Sequence, residues 1–156
     1  MATVYLGLGT NIGDRAANLR QAISEINNRI GSVQDQSDFI ITEPWGFSSC
    51  NLFFNAVVKV ATSLTPQRLL QAAKTIEEEM GRTDASANRR RETSAYKDRI
   101  IDIDILLYDD LRIETDSLTI PHPLMYDRDF VMIPLRQVME RDHSHCPPRD
   151  DSAESF

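Results

Sequence analysis

The chain has little of what several common protein classes require. Its 156 residues contain only two cysteines, Cys50 and Cys146, which are too few for a disulfide framework. No apolar run approaches the roughly 20 residues of a membrane-spanning helix, and the amino terminus lacks the basic segment and apolar core of a signal peptide. These absences predict a cytoplasmic protein that does not insert into a membrane.

Basic charge is also scarce. Lys and Arg together number 17 against 24 Asp and Glu, which gives a formal net charge of −7. A general nucleic-acid binder needs a basic surface for its phosphate contacts, so the charge balance argues against that class. The length and the 41% hydrophobic content fit one domain with a real core. We expect a monomer whose domain covers residues 1–140, followed by a flexible tail over 141–156.

One acidic strand stands out from the rest of the chain. β-branched residues dominate residues 99–108 and a turn signal closes the segment, which predicts a strand. Because side chains alternate along a strand, Asp102 and Asp104 should share one face with Ile100 and Leu106. The opposite, apolar face is expected to hold Ile101, Ile103, Ile105 and Leu107. The two Asp backbones then lie about 6.5–7 Å apart, close enough for their carboxylates to share two hard cations such as Mg²⁺.

An Asp-x-Asp pair alone more often marks the wet face of an amphipathic strand than a metal site. The segment before it favours the metal, because six of the 17 basic residues fall within the 18 positions from Arg82 to Arg99. Taken alone, that basic run would indicate a solvated loop. Guanidinium groups beside cation-binding carboxylates fit a polyphosphate that is held by metal on one side and by Arg on the other.

The first half of the chain predicts strands around one helix. Apolar alternation at the amino terminus predicts a strand, and helical spacing predicts a helix over 15–30 that ends near Gly31. Asp14 is the expected N-cap of this helix. Two further strands are expected over 32–42 and 52–62, separated by a loop that carries the single Trp.

The second half of the chain predicts the remaining helices and strands. Thr65 and Pro66 predict the start of a second helix, for which Gly81 is the expected stop. After the acidic strand we expect a short hairpin over 111–119 and a last helix from about Tyr126. The order βαββαβ is that of a ferredoxin-like α+β sandwich, an antiparallel sheet with helices packed on one side. Its central strands should carry Asn55 and the Asp pair toward the same open face or edge.

Four sequence patches are more specific together than any one of them alone. They are Gly9–Gly13, Phe53–Val57, Arg99–Ile105, and Pro121–Pro123 followed by Arg128–Val131 and Pro134–Leu135. In order and spacing, over about residues 3–140, they resemble the 6-hydroxymethyl-7,8-dihydropterin pyrophosphokinase family of the folate pathway. The resemblance implies an enzyme that passes the terminal diphosphate of ATP to a pterin alcohol and releases AMP, with two Mg²⁺ ions.

The resemblance also implies a role for each matching residue. Asp102 and Asp104 match the carboxylates that hold the two Mg²⁺ ions, and Asp102 also reaches the pterin. Arg82 and Arg99 match catalytic arginines that contact the triphosphate. The nucleotide side is completed by Glu77, Ile105, Thr119, His122 and Arg128. The pterin side is formed by Thr42, Trp45, Phe53, Asn55 and Phe130.

Some residues depart from the family pattern. Lys97-Asp98 stands where Gly-Pro is common, Phe53 stands where a Tyr is familiar, and the loop before the acidic strand is several residues longer than in compact members. Which of the three consecutive arginines Arg89, Arg90 and Arg91 serves as the family's loop arginine stays open.

Two other functions remain compatible with the residues themselves. One is a two-metal phosphodiesterase, against which the acidic net charge and the aromatic loop count. The other is a non-catalytic ferredoxin-like domain that senses a nucleotide or a metabolite. For the favoured function we expect only small-molecule partners, ATP and hydroxymethyl-dihydropterin, and neither nucleic acid nor membrane.

Overall fold

The computed structural model describes residues 1–42, 52–82 and 100–145. Seven strands and three helices are present in these ranges, with a short 3-10 turn before the last helix. In chain order they are β1 Ala2–Thr10, α1 Arg15–Arg29, β2 Gly31–Gln36, β3 Ile40–Thr42, β4 Phe53–Thr62, α2 Pro66–Arg82, β5 Asp102–Tyr108, β6 Ile113–Glu114, β7 Thr119–Ile120, the 3-10 turn Met125–Asp127, and α3 Asp129–His145.

The main sheet has the predicted antiparallel arrangement. Its strand order is β2-β4-β1-β5, and β3 pairs with the other end of β4, so β1 and β4 are central. Helices α1 and α2 cover one face of this sheet. The prediction of a ferredoxin-like α+β sandwich is therefore confirmed, with the addition that α3 packs on the opposite face.

The larger core lies between the sheet and the first two helices. From β1 it takes Val4, Leu6 and Leu8, whose alternation follows from the period of a strand. From the helices it takes Leu19, Ala22, Ile26, Leu69, Ala73, Ile76 and Met80, all at helical spacing. Burying each of the larger side chains stabilises the fold by about 1.5–3 kcal/mol, which holds the helices against the sheet.

The bounds of α1 follow from local chemistry. The Asp14 side chain accepts a hydrogen bond from the Ala17 backbone N–H at 3.1 Å, so the predicted N-cap is confirmed. The helix ends at Arg29, close to the predicted end. Gly31 then begins β2, where any Cβ would collide with the Ala61 carbonyl of β4. This glycine is required for the close approach of two strands.

Arg29 also joins the two helices on the sheet. Its Nε lies 2.8 Å from Glu25 on its own helix, and its Nη2 lies 2.7 Å from Glu79 of α2. The hydrogen bond with Glu79 raises the pKa of Arg29, a group that is charged at neutral pH in any case. Since the group is exposed, the pair orients the helices more than it stabilises them.

The single strand expected over 32–42 is two segments, β2 and β3. At the break, the Ser37 backbone N–H donates to the Val57 carbonyl at 2.8 Å, and the Ser37 hydroxyl accepts from the Val57 N–H at 2.9 Å. The side chain of Gln137 on α3 exchanges two hydrogen bonds of 2.8 Å with the backbone and carboxylate of Asp38. Where the edge strand leaves the sheet, hydrogen bonds from the Ser37 and Gln137 side chains therefore take the place of part of the backbone hydrogen bonding between strands.

Three predictions about residue placement were wrong. Gly81 does not end α2, which runs to Arg82 because a glycine inside a helix is only a modest cost. In β5 a register shift opposite Tyr5 and Leu6 inserts one extra residue. Leu106 lies on the side of the aspartates, as predicted, whereas Leu107 packs against the smaller core under α3 instead of the larger one. Ile100 packs in the larger core instead of beside the aspartates.

The carboxyl-terminal part begins with the predicted hairpin, formed by β6 and β7. The last helix begins at Asp129, two to three residues later than expected, because the 3-10 turn occupies 125–127. It continues to His145, five residues past the boundary expected at 140. Within the described ranges, no helix has the length and apolar character needed to cross a membrane.

The break between β2 and β3 generates a test. Ser37→Ala removes the acceptor of the buried Val57 N–H, so we expect the free energy of unfolding to fall by about 1–3 kcal/mol. Ser32→Ala, at an exposed position of β2, is the matched control and should change it by less than about 0.5 kcal/mol. Urea unfolding of the three proteins measures both values, and equal stability of the two variants would contradict this account of the break.

Candidate functional site

The site begins with the register of the central strand. Gly9 of β1 pairs with Asn55 of β4 on one side and with Asp102 of β5 on the other. Two positions back, Gly7 pairs with Asp104. Directly paired residues point to the same face of a sheet, so the amide and the two carboxylates lie on one face. Between them runs β1, which has Gly7 and Gly9 on that face.

Glycine leaves the middle of this face open. A Cβ built on Gly9 has only one heavy atom within 4 Å among the described residues outside its immediate chain neighbours, the Asn55 Oδ1 at 3.1 Å. Toward the other end of the same face, Tyr5, Val57 and Leu106 are covered by the smaller core under α3. The result is a trough over Gly9, with Asn55 on one wall and Asp102 on the other, and it is closed at Gly7 by the Leu106 side chain.

Asn55 has a defined orientation in its wall. The residue is 6% exposed, and its Nδ2 donates to the Thr42 Oγ1 at 3.0 Å. This bond occupies one side of the amide and leaves Oδ1 above Gly9, where it faces the trough. A buried amide held in this way can accept a hydrogen bond from an N–H edge of a flat ligand.

The opposite wall holds the two carboxylates and a histidine. The Asp104 side chain is 45% exposed, and its Oδ1 lies 4.0 Å from the His122 Nε2, just beyond hydrogen-bond range. The His122 backbone N–H donates to the Leu106 carbonyl at 3.1 Å, which holds this segment along the outer edge of β5. The Leu124 N–H donates to the His122 Nδ1 at 3.3 Å, so in the neutral ring Nε2 carries the proton and points toward the acid.

The donor set suits a hard cation but does not enclose one. Two carboxylates from Asp102 and Asp104 supply the oxygen ligands that Mg²⁺ prefers. Within 1–42, 52–82 and 100–145, no cluster of three or more His, Cys, Asp or Glu could complete a metal site. A cation here would take its remaining ligands from water and from a substrate, which is the usual arrangement for Mg²⁺ in phosphate-transfer enzymes.

The residues predicted on the nucleotide side lie along the outer edge of β5. The Glu77 Oε2 accepts a hydrogen bond from the Ile103 backbone N–H at 2.7 Å. Thr119 belongs to β7, which packs beside β5. Ile105 has its side chain in the larger core and can offer this edge only its backbone. The structure therefore groups these residues at one edge, next to His122.

The aromatic residues predicted on the pterin side are in part described. Phe53 pairs with Thr42, two residues before Asn55 on β4. Phe130 lies in the first turn of α3, the helix that covers the trough's side of the sheet, and the Arg128 guanidinium carbon is 5.7 Å from its ring centroid. Trp45 falls outside the described residues.

The side chains of the two arginines predicted to be catalytic, Arg82 and Arg99, lie outside the part of the chain that the structure describes. Arg82 is the last residue of α2, and only its backbone is described there. Arg99 and the run Arg89–Arg91 fall outside the described residues, immediately before β5.

Two features of the site were missed at the level of sequence. Gly9 forms the floor of the trough and Gly7 makes room for the Leu106 side chain beside it. Their alternation at positions 7 and 9 was a usable signal, since glycine weakens a strand unless something must approach it closely. The contact of Glu77 with the Ile103 backbone had no signal in the sequence, because it joins a helix and a strand 26 positions apart.

The antiparallel α+β sandwich therefore presents a carboxylate pair and a buried amide on one face, groups that can bind a cation and the N–H edge of a flat ligand. Residues 5–140 match the family described as 7,8-dihydro-6-hydroxymethylpterin-pyrophosphokinase, HPPK. The match covers most of the chain, and the chain belongs to this family.

Curated relatives have the same family name. The chain is 43% identical over 148 residues to the 2-amino-4-hydroxy-6-hydroxymethyldihydropteridine pyrophosphokinase of Porphyromonas gingivalis, covering 94% of this chain and 97% of the relative. It is 41% identical over 138 residues to the protein of the same name from Aquifex aeolicus, covering 88% of this chain and 81% of the relative. The chain is thus similar to these enzymes along nearly their whole length.

A solved structure supports the fold. The structure described as HPPK-DHPS in complex with substrates superposes with a TM-score of 0.66 at 14% sequence identity. The superposition covers 88% of this chain and 40% of that longer chain. At this identity the likeness speaks for the sandwich architecture alone.

The glycine floor can be tested without a ligand. Gly9→Ala places a methyl group 3.1 Å from the Asn55 Oδ1, so we expect the Asn55 side-chain amide signals to shift clearly in a ¹⁵N–¹H correlation spectrum. Gly7→Ala is the matched control, because the three heavy atoms nearest its Cβ would be Leu106 side-chain atoms at 3.4–3.6 Å, an ordinary contact distance. If the Asn55 signals stayed in place in Gly9→Ala, the two residues would not be neighbours across the trough.

Proposed function

We propose that this protein transfers the terminal diphosphate of ATP to 6-hydroxymethyl-7,8-dihydropterin in folate biosynthesis, giving AMP and the pterin diphosphate. The observation that carries the proposal is the family match over residues 5–140. The trough adds a physical reason, because it offers an amide for a flat heterocycle on one wall and carboxylates for a cation-bound polyphosphate on the other.

The reaction requires alignment more than covalent help. The hydroxymethyl oxygen forms a bond to the β-phosphorus of ATP, the bond from that phosphorus to the oxygen bridging to the α-phosphate breaks, and AMP leaves with the electron pair. The hydroxyl proton passes to solvent. Holding the two substrates in line and neutralising the charge on the moving diphosphate therefore provide most of the catalysis.

Asp102 and Asp104 are the residues that would hold two Mg²⁺ ions. Bound there, Mg²⁺ supplies charge neutralisation to phosphate oxygens. The carboxylates suit the role because they share one face of β5 and stay accessible from the trough. His122, whose Nε2 faces the Asp104 carboxylate, can donate a proton or a hydrogen bond to a phosphate oxygen on the same side.

The pterin is expected on the other wall. Asn55 presents Oδ1 toward the trough and can accept from ring N–H groups, while Phe53 and Phe130 offer aromatic surface on the same face of the sheet. Thr42 holds the Asn55 amide through its hydroxyl. Trp45 is assigned to this pocket by resemblance to the family.

The arginines complete the phosphate side. Arg82 and Arg99 lead into and out of the basic segment, and by resemblance they contact the triphosphate and stabilise the transferring charge. Arg128 at the start of α3 is a further donor. Glu77, Ile105 and Thr119 line the edge of β5 where the nucleotide is expected.

Residues 1–140 are proposed as one catalytic domain that acts as a monomer in the cytoplasm, and we propose that the reaction does not use residues 141–156, of which 141–145 form the end of α3. The two alternative functions have less support. A non-catalytic sensor and a two-metal phosphodiesterase would each need a reason for the match to a pyrophosphokinase family, and none of the described contacts supplies one.

The carboxylate pair provides the test of this function. Asp102→Ala and Asp104→Ala should each lower AMP formation from ATP, Mg²⁺ and 6-hydroxymethyl-7,8-dihydropterin by about 10²–10³-fold, since each removes charge stabilisation at the moving diphosphate. Asp110→Ala, at an exposed position just past the end of β5, should keep the wild-type rate.

Unfolding midpoints of all variants show whether the fold is intact. Formation of AMP at the wild-type rate in either carboxylate variant would refute the assignment. Formation of ADP in place of AMP by the wild-type protein would refute the diphosphate transfer itself.

A further inference from the structure

Glu77 makes a contact that has a consequence for the metal-binding strand. Its Oε2 accepts a hydrogen bond from the Ile103 backbone N–H at 2.7 Å. Ile103 is the residue between Asp102 and Asp104, the two carboxylates proposed to hold the cations. A carboxylate that accepts from a backbone N–H forms a charge-assisted bond, which is shorter and stronger than a bond between neutral groups.

The contact between Glu77 and Ile103 lies at the outer side of β5, the side away from β1. Among the residues that the structure describes, β5 is an edge strand of the main sheet and β1 is its one hydrogen-bonded neighbour there. Backbone N–H groups alternate sides along a strand, so the Ile103 N–H points outward while those of the flanking aspartates point to β1. Farther along the same edge, the His122 N–H is bound to the Leu106 carbonyl.

The contact acts on the backbone and not on the reacting face. Glu77 projects from α2, which packs on the face of the sheet where the Ile103 side chain is buried. The Asp102 and Asp104 side chains project from the opposite face, toward the trough. The 2.7 Å bond of Glu77 is therefore placed to hold the peptide that joins the two carboxylates.

We propose that Glu77 is a positioning residue that fixes the backbone between Asp102 and Asp104, and so sets the spacing at which the carboxylates bind their two cations. This inference rests on the proposed function and goes beyond the contact with nucleotide that resemblance to the family implies for Glu77. The two roles predict different behaviour for a neutral replacement. A glutamine keeps an oxygen that can accept from the Ile103 N–H, whereas it removes the negative charge.

The test compares Glu77→Ala and Glu77→Gln with Glu78→Ala, a control at the next and exposed position of α2. One readout is hydrogen exchange at the Ile103 amide. The second is the Mn²⁺ concentration that half-broadens the Asp102 and Asp104 amide signals in the presence of a non-hydrolysable ATP analogue. The third is the Mg²⁺ concentration that gives half-maximal AMP formation.

In Glu77→Ala we expect faster exchange at Ile103 and rises of about tenfold in both metal concentrations, the lower end of what outer-shell changes cost in metal affinity. Glu77→Gln should stay within about twofold of wild type in both metal concentrations, with exchange at Ile103 slower than in Glu77→Ala but faster than in wild type, because the glutamine bond is not charge-assisted. Glu78→Ala should stay within about twofold of wild type in all three readouts. Rescue by the glutamine is the result that a direct charge contact with the ligand would not produce.

Two results would overturn the proposal. One is an unchanged Ile103 exchange rate and unchanged Mn²⁺ response in Glu77→Ala. The other is an equal loss in Glu77→Gln and Glu77→Ala with normal exchange at Ile103, which would assign Glu77 to the ligand through its charge. If the wild-type protein makes no AMP but the exchange and Mn²⁺ readouts shift as expected, the proposed function fails and the positioning role stands.

Discussion

The site depends on one alignment between three strands. Because Gly9 of β1 stands directly between Asn55 of β4 and Asp102 of β5, an amide and a carboxylate face each other across a residue with no side chain. If β4 or β5 slipped by one position against β1, Asn55 or Asp102 would turn to the face that α1 and α2 cover. The buried residues of β4 and β5 prevent such a slip, since Ala56, Val58 and Val60, or Ile103 and Ile105, would then leave the larger core. The packing of apolar side chains on one face of the sheet therefore fixes which polar side chains lie on the other face.

The site uses the face and the edge of the sheet for different tasks. The face carries the groups that we propose as substrate contacts, with Asn55 held by Thr42 and Asp104 partly exposed. The outer edge of β5 carries the contacts that hold the strand, from Glu77 to Ile103 and from His122 to Leu106. An edge strand has unpaired backbone groups, and here those groups are covered by a side chain and by a neighbouring segment. In phosphate transfer, where catalysis is mainly alignment, such contacts would help to keep the proposed carboxylates in place.

Much of the fold and part of the site could be predicted because each rests on a local pattern. Alternation, caps and turn residues identified the βαββαβ order, and the period of a strand placed Asp102 and Asp104 on one face. The wrong predictions concern positions whose structure is set by contacts between residues that are far apart in the sequence. The extra residue at Leu106 depends on pairing with β1, and the break at Ser37 depends on Val57 and Gln137. The contact of Glu77 with Ile103 needs the packing of α2 to be known. Local sequence contains none of that information.

The central claim is that the two carboxylates on β5 bind a pair of cations that position the diphosphate over the glycine floor. A crystal structure with Mn²⁺, a non-hydrolysable ATP analogue and 6-hydroxymethyl-7,8-dihydropterin tests it most directly, because the anomalous signal of Mn²⁺ locates each ion. We predict two ions, each within about 2.0–2.3 Å of an oxygen of Asp102 or Asp104 and of a phosphate oxygen. Carboxylates turned away from every ion, with the phosphates bound elsewhere, would contradict the account.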